Sequence, residues 1–361
     1  SGRKHDSGAD CHRTCCSRVC DLGNSNVDCR TKFAPVLFIR DVVNDREDAR
    51  IVGVCNLSTS SAITVSQERA NSWSRRLTDY VELTKPRIMV MVLVTVAISG
   101  VVATWGEPDV VRLLNAVIAT GLVAASASVM NQWLERGTDA MMPRTANRPL
   151  PTGRLGSTEV FCFGLFTAVA GLGYLWLACG LLAMFFAALT WFLYVCVYTP
   201  LKTRSWLNTA VGAVPGALPV LIGWVGVGAE LDARAWCIYA LVFLWQFPHF
   251  MAIAWLYRKQ YAEAGMPMLP VVEPTGLQAG LQSVIGALLL VAVSLVPWFL
   301  VPTASAIYLI AALILGTGMF VASVRFCVSR NDSTARTLLR ASLIYLPIQL
   351  TFVTVLNLAL I

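Results

Sequence analysis

The residues of this chain that could do chemistry are concentrated at the end of an apolar stretch, in the segment NQWLERGTDAMMPRTANRPLPTGRL at residues 131–155. Asn131, Glu135 and Asp139 recur every four residues, so on a helix their side chains lie on one face. Mg²⁺ takes oxygen ligands, commonly carboxylates together with phosphate oxygens. The spacing therefore predicts a magnesium site whose three ligands are also catalytic residues. The alternative is that the two acids only offset neighbouring arginines at a solvated helix end.

Cations follow these acids in the same loop. Arg144 and Arg148 precede Pro149, which stops any helix, and Arg154 comes next. The planar guanidinium group of arginine suits phosphate oxygens. Carboxylates that bind metal beside cations that bind phosphate predict a site for a Mg²⁺ diphosphate whose apolar tail runs into a membrane bundle. If the arginines only marked the inner side of a membrane, the acids would stay unexplained.

Two further loops, YTPLKTRSWLN at residues 198–208 and RKQYAEAGMPMLPVVEP at residues 258–274, bring polar residues to the same predicted face. The first of them completes the predicted diphosphate-binding set, which is Arg144, Arg148, Lys202 and Arg204. Lys202 is also predicted to be catalytic, because a cation beside the leaving group stabilises the charge that builds there. The other polar candidates in the two loops are Tyr198, Thr203, Asn208, Tyr261, Glu263 and Glu273.

The elements that must position these loops are membrane-spanning helices. Of the 361 residues, 56% are hydrophobic and only 14% are charged, which is too apolar for an ordinary soluble domain. Apolar runs of the length that crosses a bilayer, about 20 residues, appear nine times. They cover roughly 87–105, 111–133, 158–178, 181–199, 208–228, 236–257, 280–300, 303–325 and 338–361. The predicted fold is all-α, a polytopic membrane bundle of about nine transmembrane helices.

The charges of the connecting loops predict the orientation. The loops after spans two, four, six and eight are rich in Lys and Arg, whereas the opposite loops carry only Arg112 and Arg234. Short basic loops stay in the cytoplasm, so the N-terminus and the predicted active site are placed on the cytoplasmic side. Topology and an anionic ligand explain the net charge of +7, and no nucleic-acid-binding motif is present.

Residues 1–75 differ from the rest: they are polar, show no periodicity and hold six of the eleven cysteines. We interpret them as a disordered tail or a non-native translation, and residues 76–361 as the transmembrane domain. The alternative for the tail is a zinc site, although its candidate ligands share one short stretch without a second paired cluster. Those candidates are Cys11, His12, Cys15, Cys16 and Cys20.

The segments that carry the site resemble the intramembrane prenyltransferase superfamily that includes 4-hydroxybenzoate polyprenyltransferase. The resemblance covers residues 78–361, from DYVELTKPRIMVMVLVT through NQWLERGTDAMMPRTANRPLPTGR and YTPLKTRSWLNTAVGAVPGALPVLIGW to YAEAGMPMLPVVEP. The superfamily's first motif, an Asn and two acids at four-residue spacing, falls on Asn131, Glu135 and Asp139. RTANRPL and WQFPHF resemble the branch that modifies heme in particular.

The resemblance implies a reaction and its ligands. In the heme branch the farnesyl group of farnesyl diphosphate joins the 2-vinyl group of heme B, water adds, and diphosphate leaves with the help of one or two Mg²⁺ ions. It also implies a central cavity open to lipid, a cytoplasmic cap, and residence in the bacterial cytoplasmic (inner) membrane. The implied partners include heme A synthase or cytochrome oxidase assembly proteins. Residues implied to contact substrate or heme are Tyr198, Asn208, His249 and Tyr261.

Two positions depart from the superfamily pattern and qualify this transfer. Glu135 stands where the superfamily usually has Asp, and Gln260 stands where an acid usually precedes the Tyr of YAEAG, which leaves a second Mg²⁺ site open; Glu263 is a substitute one turn on. His249 in WQFPHF is either a buried, hydrogen-bonded core residue or a contact to heme iron or propionate. Pro248, next to it, is predicted to break span six and free backbone carbonyls.

Other functions remain open on the residues alone. A prenyltransferase of the same superfamily could act on a quinone precursor or a chlorophyll-type acceptor. A non-enzymatic carrier of polyprenyl phosphates or other anions could also use the loop arginines, although carriers often show inverted repeats and none is evident. A third alternative is a cytochrome oxidase assembly scaffold without catalysis.

Overall fold

The computed structural model describes residues 73–301 and 306–358. The predicted tail, apart from residues 73–75, and the zinc alternative at Cys11–Cys20 lie outside these ranges and stay predictions. A short helix at residues 73–83 begins the described part of the chain and leads into the first long helix.

Within the described residues, nine helices are long and apolar enough to cross a membrane, and no strand is present. The prediction of an all-α bundle with nine spans is confirmed. The helices are α1 (Pro86–Ala103), α2 (Val110–Met141), α3 (Ser157–Cys179), α4 (Leu181–Leu201), α5 (Asn208–Gly226), α6 (Ala233–Leu256), α7 (Leu277–Leu300), α8 (Ala306–Ser329) and α9 (Asp332–Leu358). Short helices at Arg258–Glu263 and Leu269–Val272 lie in the connection between α6 and α7.

Helix α5 is the most enclosed span and packs against α1, α4 and α6. Its glycines allow these close approaches: a Cβ on Gly212 would lie 2.6 Å from the ring of Tyr198 on α4, and one on Gly216 would collide with Gln246 on α6. Small residues at helix interfaces let backbones approach closely inside a bilayer. This close packing places the ring of Tyr198 against the central helix.

Helix α6 corrects one prediction. Pro248 does not break the span, because the helix continues without interruption from Ala233 to Leu256. The neighbouring helix provides the room: a Cβ on Gly286 of α7 would lie 2.9 Å from Phe247 Cβ and 3.2 Å from Pro248 Cδ. Transmembrane helices tolerate proline where neighbouring helices compensate for the lost hydrogen bond.

Two spans extend beyond the limits that hydropathy predicts. α2 continues to Met141, and α9 begins at Asp332 instead of near residue 338. The extra turns are polar, so a search for apolar runs stops before the helices do. For α2 the extra length matters, because it carries Glu135 and Asp139.

Candidate active site

The polar face of α2 is buried where the helix leaves its apolar part. Asn131, Glu135 and Asp139 have 0%, 9% and 1% of their surface exposed. All three belong to the continuous helix Val110–Met141, as their four-residue spacing requires. A buried carboxylate is costly unless a cation or a hydrogen-bond donor faces it, so the neighbours of these side chains decide what the cluster is.

Each carboxylate faces a cation from a different loop. Lys202 Nζ lies 2.7 Å from Glu135 Oε1, and Arg148 Nη1 donates to Asp139 Oδ2 at 2.6 Å. Lys202 follows α4 directly, while Arg148 lies in the loop after α2. Both cations belong to the predicted diphosphate-binding set, and the fold therefore brings two predicted cations onto the two predicted acids.

A third cation, Lys85, completes the cluster and was absent from the predicted site. Its Nζ donates to Asn131 Oδ1 at 2.6 Å, while Asn131 Nδ2 donates to Thr199 Oγ1 at 3.0 Å. Lys85 immediately precedes Pro86 at the start of α1, within the segment LTKPR. A single lysine at the boundary of an apolar stretch looks like ordinary topological charge, so the sequence carried only a weak signal for it.

The surroundings of Lys85 disfavour its charge. Burial of the ammonium group, and then the nearby cations Lys202 and Arg148, lower its pKa to about 7. Its backbone is in the left-handed region, with φ of 52°, a conformation that costs a non-glycine residue about 1 kcal/mol or more. Among the described residues, three basic side chains meet two carboxylates here, and an anionic ligand would relieve the repulsion from Lys202 and Arg148 that adds to the effect of burial on the pKa of Lys85.

Helix α4 changes its winding just before it delivers Lys202. Residues Leu193–Tyr198 form a π-helical turn, a feature that often occurs at functional sites. The ring centroid of Tyr198 lies 4.6 Å from Lys202 Nζ and 5.4 Å from the ring centroid of Tyr194. The predicted substrate contact Tyr198 therefore lies directly beside the ion cluster.

The three polar loops converge, as the sequence predicted. Tyr261 packs with Met142, from the loop after α2, and with Met266 of the cap segment between α6 and α7. Asn208, at the start of α5, directs its Nδ2 to Met268 Sδ at 3.2 Å. Apolar contacts thus hold the cap segment, residues 258–274, over the end of α2, and they bring Asn208 and Tyr261 to the same end of the bundle.

Arg144 and Arg204 lie outside the ion cluster. Both are exposed; Arg144 Cζ lies 4.9 Å from the ring centroid of Tyr257. The side chain of Arg204 has no ion pair or hydrogen bond to any described residue. These two members of the predicted diphosphate-binding set occupy the rim, whereas Arg148 and Lys202 occupy the centre.

His249 belongs to α6 and its side chain faces α9. Its contacts are separate from those of the ion cluster. Its Nδ1 is 2.8 Å from Ser342 Oγ, and its ring stacks on Trp245 at 4.6 Å between centroids. Trp245 Nε1 in turn donates to Ser342 O at 2.7 Å. Both predicted alternatives for His249 survive, because one ring nitrogen is engaged in the core while the residue is only half-buried.

The acids of the cap segment do not assemble into a second metal site. Glu263 is exposed, and Glu273 Oε2 accepts from the backbone N of Gln278 at 3.0 Å, so it supports the start of α7. Its hydrogen bond from Thr275 lowers the pKa of Glu273. Gln260 keeps its side-chain oxygen buried without a hydrogen-bond donor from the described residues.

The oxygens on α2 suit one hard cation once the basic side chains that face them have bound another anion. No group of three His, Cys, Asp or Glu side chains suited to a metal occurs among the described residues, because the predicted set has two carboxylates and one amide. Glu135 Oε1 accepts no aligned hydrogen bond within that part of the chain, although Lys202 pairs with it. Hard oxygen donors suit Mg²⁺, provided that the three cations find another anion, and a diphosphate supplies one.

Comparison with known protein families shows which family the chain belongs to. Residues 92–346 match the model of the UbiA prenyltransferase family. The chain belongs to the UbiA prenyltransferase family. This confirms the predicted superfamily, and with nine spans the protein is a multi-pass membrane protein. The matched region contains every predicted site residue, while Lys85 lies just before it.

Relatives in this UbiA family are close in sequence. A protoheme IX farnesyltransferase from Solibacter usitatus (strain Ellin6076) is 42% identical over 282 residues, which cover 75% of this chain and 95% of that protein. Another from Rhodopirellula baltica (strain DSM 10527 / NCIMB 13988 / SH1) is 42% identical over 281 residues, covering 76% and 98%.

Solved structures of the UbiA family share the fold. One of a digeranylgeranylglyceryl phosphate synthase aligns with a TM-score of 0.67 at 18% identity, covering 78% of this chain and 99% of that one. A UbiA homologue from Archaeoglobus fulgidus, bound to GPP and Mg²⁺, aligns with a TM-score of 0.54 at 16% identity, covering 76% and 99%.

Proposed function

We propose that this protein transfers the farnesyl group of farnesyl diphosphate to a vinyl group of heme B while a water molecule adds to the same vinyl group, producing the hydroxyethylfarnesyl side chain of heme O and releasing diphosphate. The observation that carries the proposal is the buried cluster at the end of α2, where two carboxylates and an amide meet three cations. Support for heme as the acceptor comes from the relatives named protoheme IX farnesyltransferase. Support for Mg²⁺ and a prenyl diphosphate comes from the solved UbiA homologue that shares the fold and is bound to GPP and Mg²⁺.

The oxygens of the cluster have a defined role in this proposal. Asn131, Glu135 and Asp139 would hold Mg²⁺, or two ions if further ligands complete a second site. When bound, the metal would neutralise negative charge on the diphosphate oxygens. Glu135 is a longer carboxylate than the usual Asp, and its Oε1, which pairs with Lys202 at 2.7 Å, would become available to the metal once that lysine binds the diphosphate.

The cations stabilise the leaving group. Lys85, Arg148 and Lys202 would exchange their α2 partners for diphosphate oxygens, because the incoming anion brings more negative charge than the side chains it replaces. Cations fixed in a buried site stabilise developing charge more strongly than cations in water. Arg144 and Arg204, exposed at the rim, would attract the diphosphate from solution before it reaches the cluster.

The bundle accommodates the apolar parts of both substrates. The farnesyl chain would extend from the ion cluster between the spans, where exclusion of water protects the electron-poor allylic group from early capture. Tyr198 lies beside the cluster, and its ring face can stabilise positive charge on that group. Asn208 and Tyr261 border the same end of the bundle, and His249 would contact heme from its position between α6 and α9.

We also propose an orientation. The basic loops and the ion cluster share one end of the bundle, and basic loops face the cytoplasm, so the active site would lie at the cytoplasmic side of a bacterial inner membrane. The association with heme A synthase or cytochrome oxidase assembly proteins stays a prediction. The separate carrier and scaffold alternatives provide the contrary outcomes for the test below.

The test is the production of heme O in a bacterial host that lacks its own synthase. Mass spectrometry of extracted hemes should detect the hydroxyethylfarnesyl product with the wild-type chain. Purified protein with heme B, farnesyl diphosphate and Mg²⁺ should form the same product, and removal of Mg²⁺ with EDTA should stop its formation. Prenylation of a quinone precursor with heme left unchanged would reassign the acceptor, and transport of prenyl phosphate without any product would favour the carrier.

A further inference from the structure

Arg154 joins two segments of the chain through its whole guanidinium group. Its Nη1 donates to Asp79 Oδ1 at 2.5 Å, and its Nη2 lies 3.2 Å from Glu82 Oε2. The same Nη2 donates to Asn147 O at 2.7 Å, and Nε donates to Thr152 Oγ1 at 3.1 Å. The arginine thereby connects helix 73–83 to the loop that follows α2.

These contacts leave Arg154 little capacity for a phosphate. Each of its three guanidinium nitrogens already has an acceptor, and Asp79, its main partner, is 5% exposed. A planar guanidinium holding several acceptors is a rigid connector. Arg148 lies in the same loop but pairs with Asp139, which is a candidate metal ligand. The two arginines therefore have different roles.

Helix 73–83 is connected along the chain to the ion cluster through Lys85. Lys85 follows two residues after the helix, and the last helical residue, Leu83, accepts a hydrogen bond at its carbonyl from Gln132 Nε2 on α2 at 2.7 Å. Lys85 then adopts its left-handed backbone and reaches Asn131. A strained conformation of this kind persists only where surrounding contacts fix the chain on both sides.

A second set of contacts holds the same helix. Tyr80 donates its hydroxyl to Glu159 Oε1 at 2.5 Å, and Arg76 lies 3.1 Å from that carboxylate. This connection leads to α3 and is more exposed than the contact between Arg154 and Asp79. Exposed ion pairs contribute little, so Arg154 is the stronger of the two anchors.

We infer that Arg154 is a positioning residue for Lys85. By holding Asp79 and Glu82 against the loop after α2, it sets the place and direction from which the Lys85 ammonium enters the ion cluster. The inference rests on the proposed function where it concerns diphosphate, because Lys85 is the group that would touch the substrate and Arg154 would act only through it.

The test compares Arg154→Gln with Arg136→Gln in the full chain reconstituted in lipid nanodiscs. Arg136 is an exposed arginine at the same end of α2, and among the described residues its guanidinium contacts only Trp133 in its own helix, which makes it a matched control. The probe is farnesyl thiodiphosphate with Mg²⁺, measured by calorimetry. Arg154→Gln should weaken binding about tenfold, a size of effect common within one ion-pair network, whereas Arg136→Gln should change it less than about twofold.

A double-mutant cycle with Lys85→Met isolates the path of the effect. If Arg154 acts through Lys85, the loss caused by Arg154→Gln should nearly vanish when Lys85 is already methionine. Arg154→Lys keeps the positive charge but loses the planar guanidinium group with its several donors, so it should give an intermediate loss of binding affinity. Equal binding by wild type and Arg154→Gln, or an undiminished loss in the Lys85→Met background, would overturn the inference.

Hydrogen exchange separates this inference from the proposed function. Amides of residues 73–85 should exchange faster in Arg154→Gln than in wild type, while α5 keeps its protection. This readout needs no substrate. If wild-type protein bound no diphosphate, the proposed function would fail, yet faster exchange at Lys85 in the variant would still support the positioning role. Unchanged exchange at residues 73–85 would contradict it.

Discussion

Within the part of the chain that the structure describes, two clusters around partly buried cations lie at opposite ends of the bundle, and they differ in how completely each cation is paired. At the end opposite the ion cluster, Arg234 pairs with Asp232 at 2.8 Å and donates to Val102 O at 3.2 Å. Its guanidinium also lies 3.7 Å from the ring centroid of Trp105 and 5.2 Å from that of Trp224. A carboxylate, a carbonyl and two aromatic faces therefore surround a single cation.

The cluster at the end of α2 has the opposite balance. Lys85, Arg148 and Lys202 face two carboxylates, and the pKa of Lys85 is lowered by burial and by the other two cations. Arg234 is saturated by its neighbours, so it can join helices but has no unused interaction to offer. The comparison shows that an excess of charge, more than the presence of a cation, distinguishes a ligand site from a structural contact.

The largest expected effect follows from removing charge from the oxygens on α2. Glu135→Gln and Asp139→Asn keep the shape but weaken metal binding, and each should lower kcat/KM for heme O formation by about 100-fold or more, because stabilisation of the leaving group is lost. The measurement is the initial rate at saturating heme B with varied farnesyl diphosphate, repeated at several Mg²⁺ concentrations. Asp232→Asn is the matched control from the opposite end, and an equal loss in that variant would remove the distinction between the two clusters.

The next largest effect should come from the central cations. Lys85→Met and Lys202→Met should each weaken binding of farnesyl thiodiphosphate by about 10-fold to 150-fold, since a buried charge-assisted contact contributes about 1.5–3 kcal/mol. Calorimetry at fixed Mg²⁺ measures the change. Lys259→Met, a lysine in the exposed part of the cap segment, is the control. Unchanged affinity in Lys85→Met would exclude this lysine from the site.

A smaller effect is expected at the rim. Arg144→Gln and Arg204→Gln should slow association with the diphosphate by about twofold to fivefold at low salt, because exposed charges act mainly by steering. The difference should shrink as ionic strength rises. Stopped-flow binding at two salt concentrations tests this. A loss as large as that of Lys202→Met, independent of salt, would move these arginines from the rim into the centre.

The smallest effect on activity should come from Arg234. Arg234→Met should leave KM and kcat within about twofold of wild type while lowering the free energy of unfolding by about 1–3 kcal/mol, because Asp232 and Val102 lose their donor. Thermal unfolding in detergent and the heme O assay should be measured on the same preparation. A changed KM for farnesyl diphosphate would show that the two ends of the bundle are coupled.

Much of the candidate site was predictable because it depends on local periodicity. The alignment of Asn131, Glu135 and Asp139 needs only the helical repeat, and the meeting of three loops needs only an even number of spans between them. The choice among cations was not predictable. Arg144 and Arg148 are four residues apart and chemically identical, yet only Arg148 reaches Asp139, because the irregular loop after Met141 directs the two side chains differently.

The amino-acid sequence alone determined the nine spans and the polar face of α2, since both follow from hydrophobicity and from a repeat of 3.6 residues within one segment. Tertiary structure decided what that face meets. Lys85 comes from a segment 46 residues away from Asn131, Arg154 turns towards helix 73–83 instead of the site, and Pro248 stays helical beside Gly286. Each of these outcomes depends on contacts between segments distant in the chain, and no local pattern encodes which distant partner will be present.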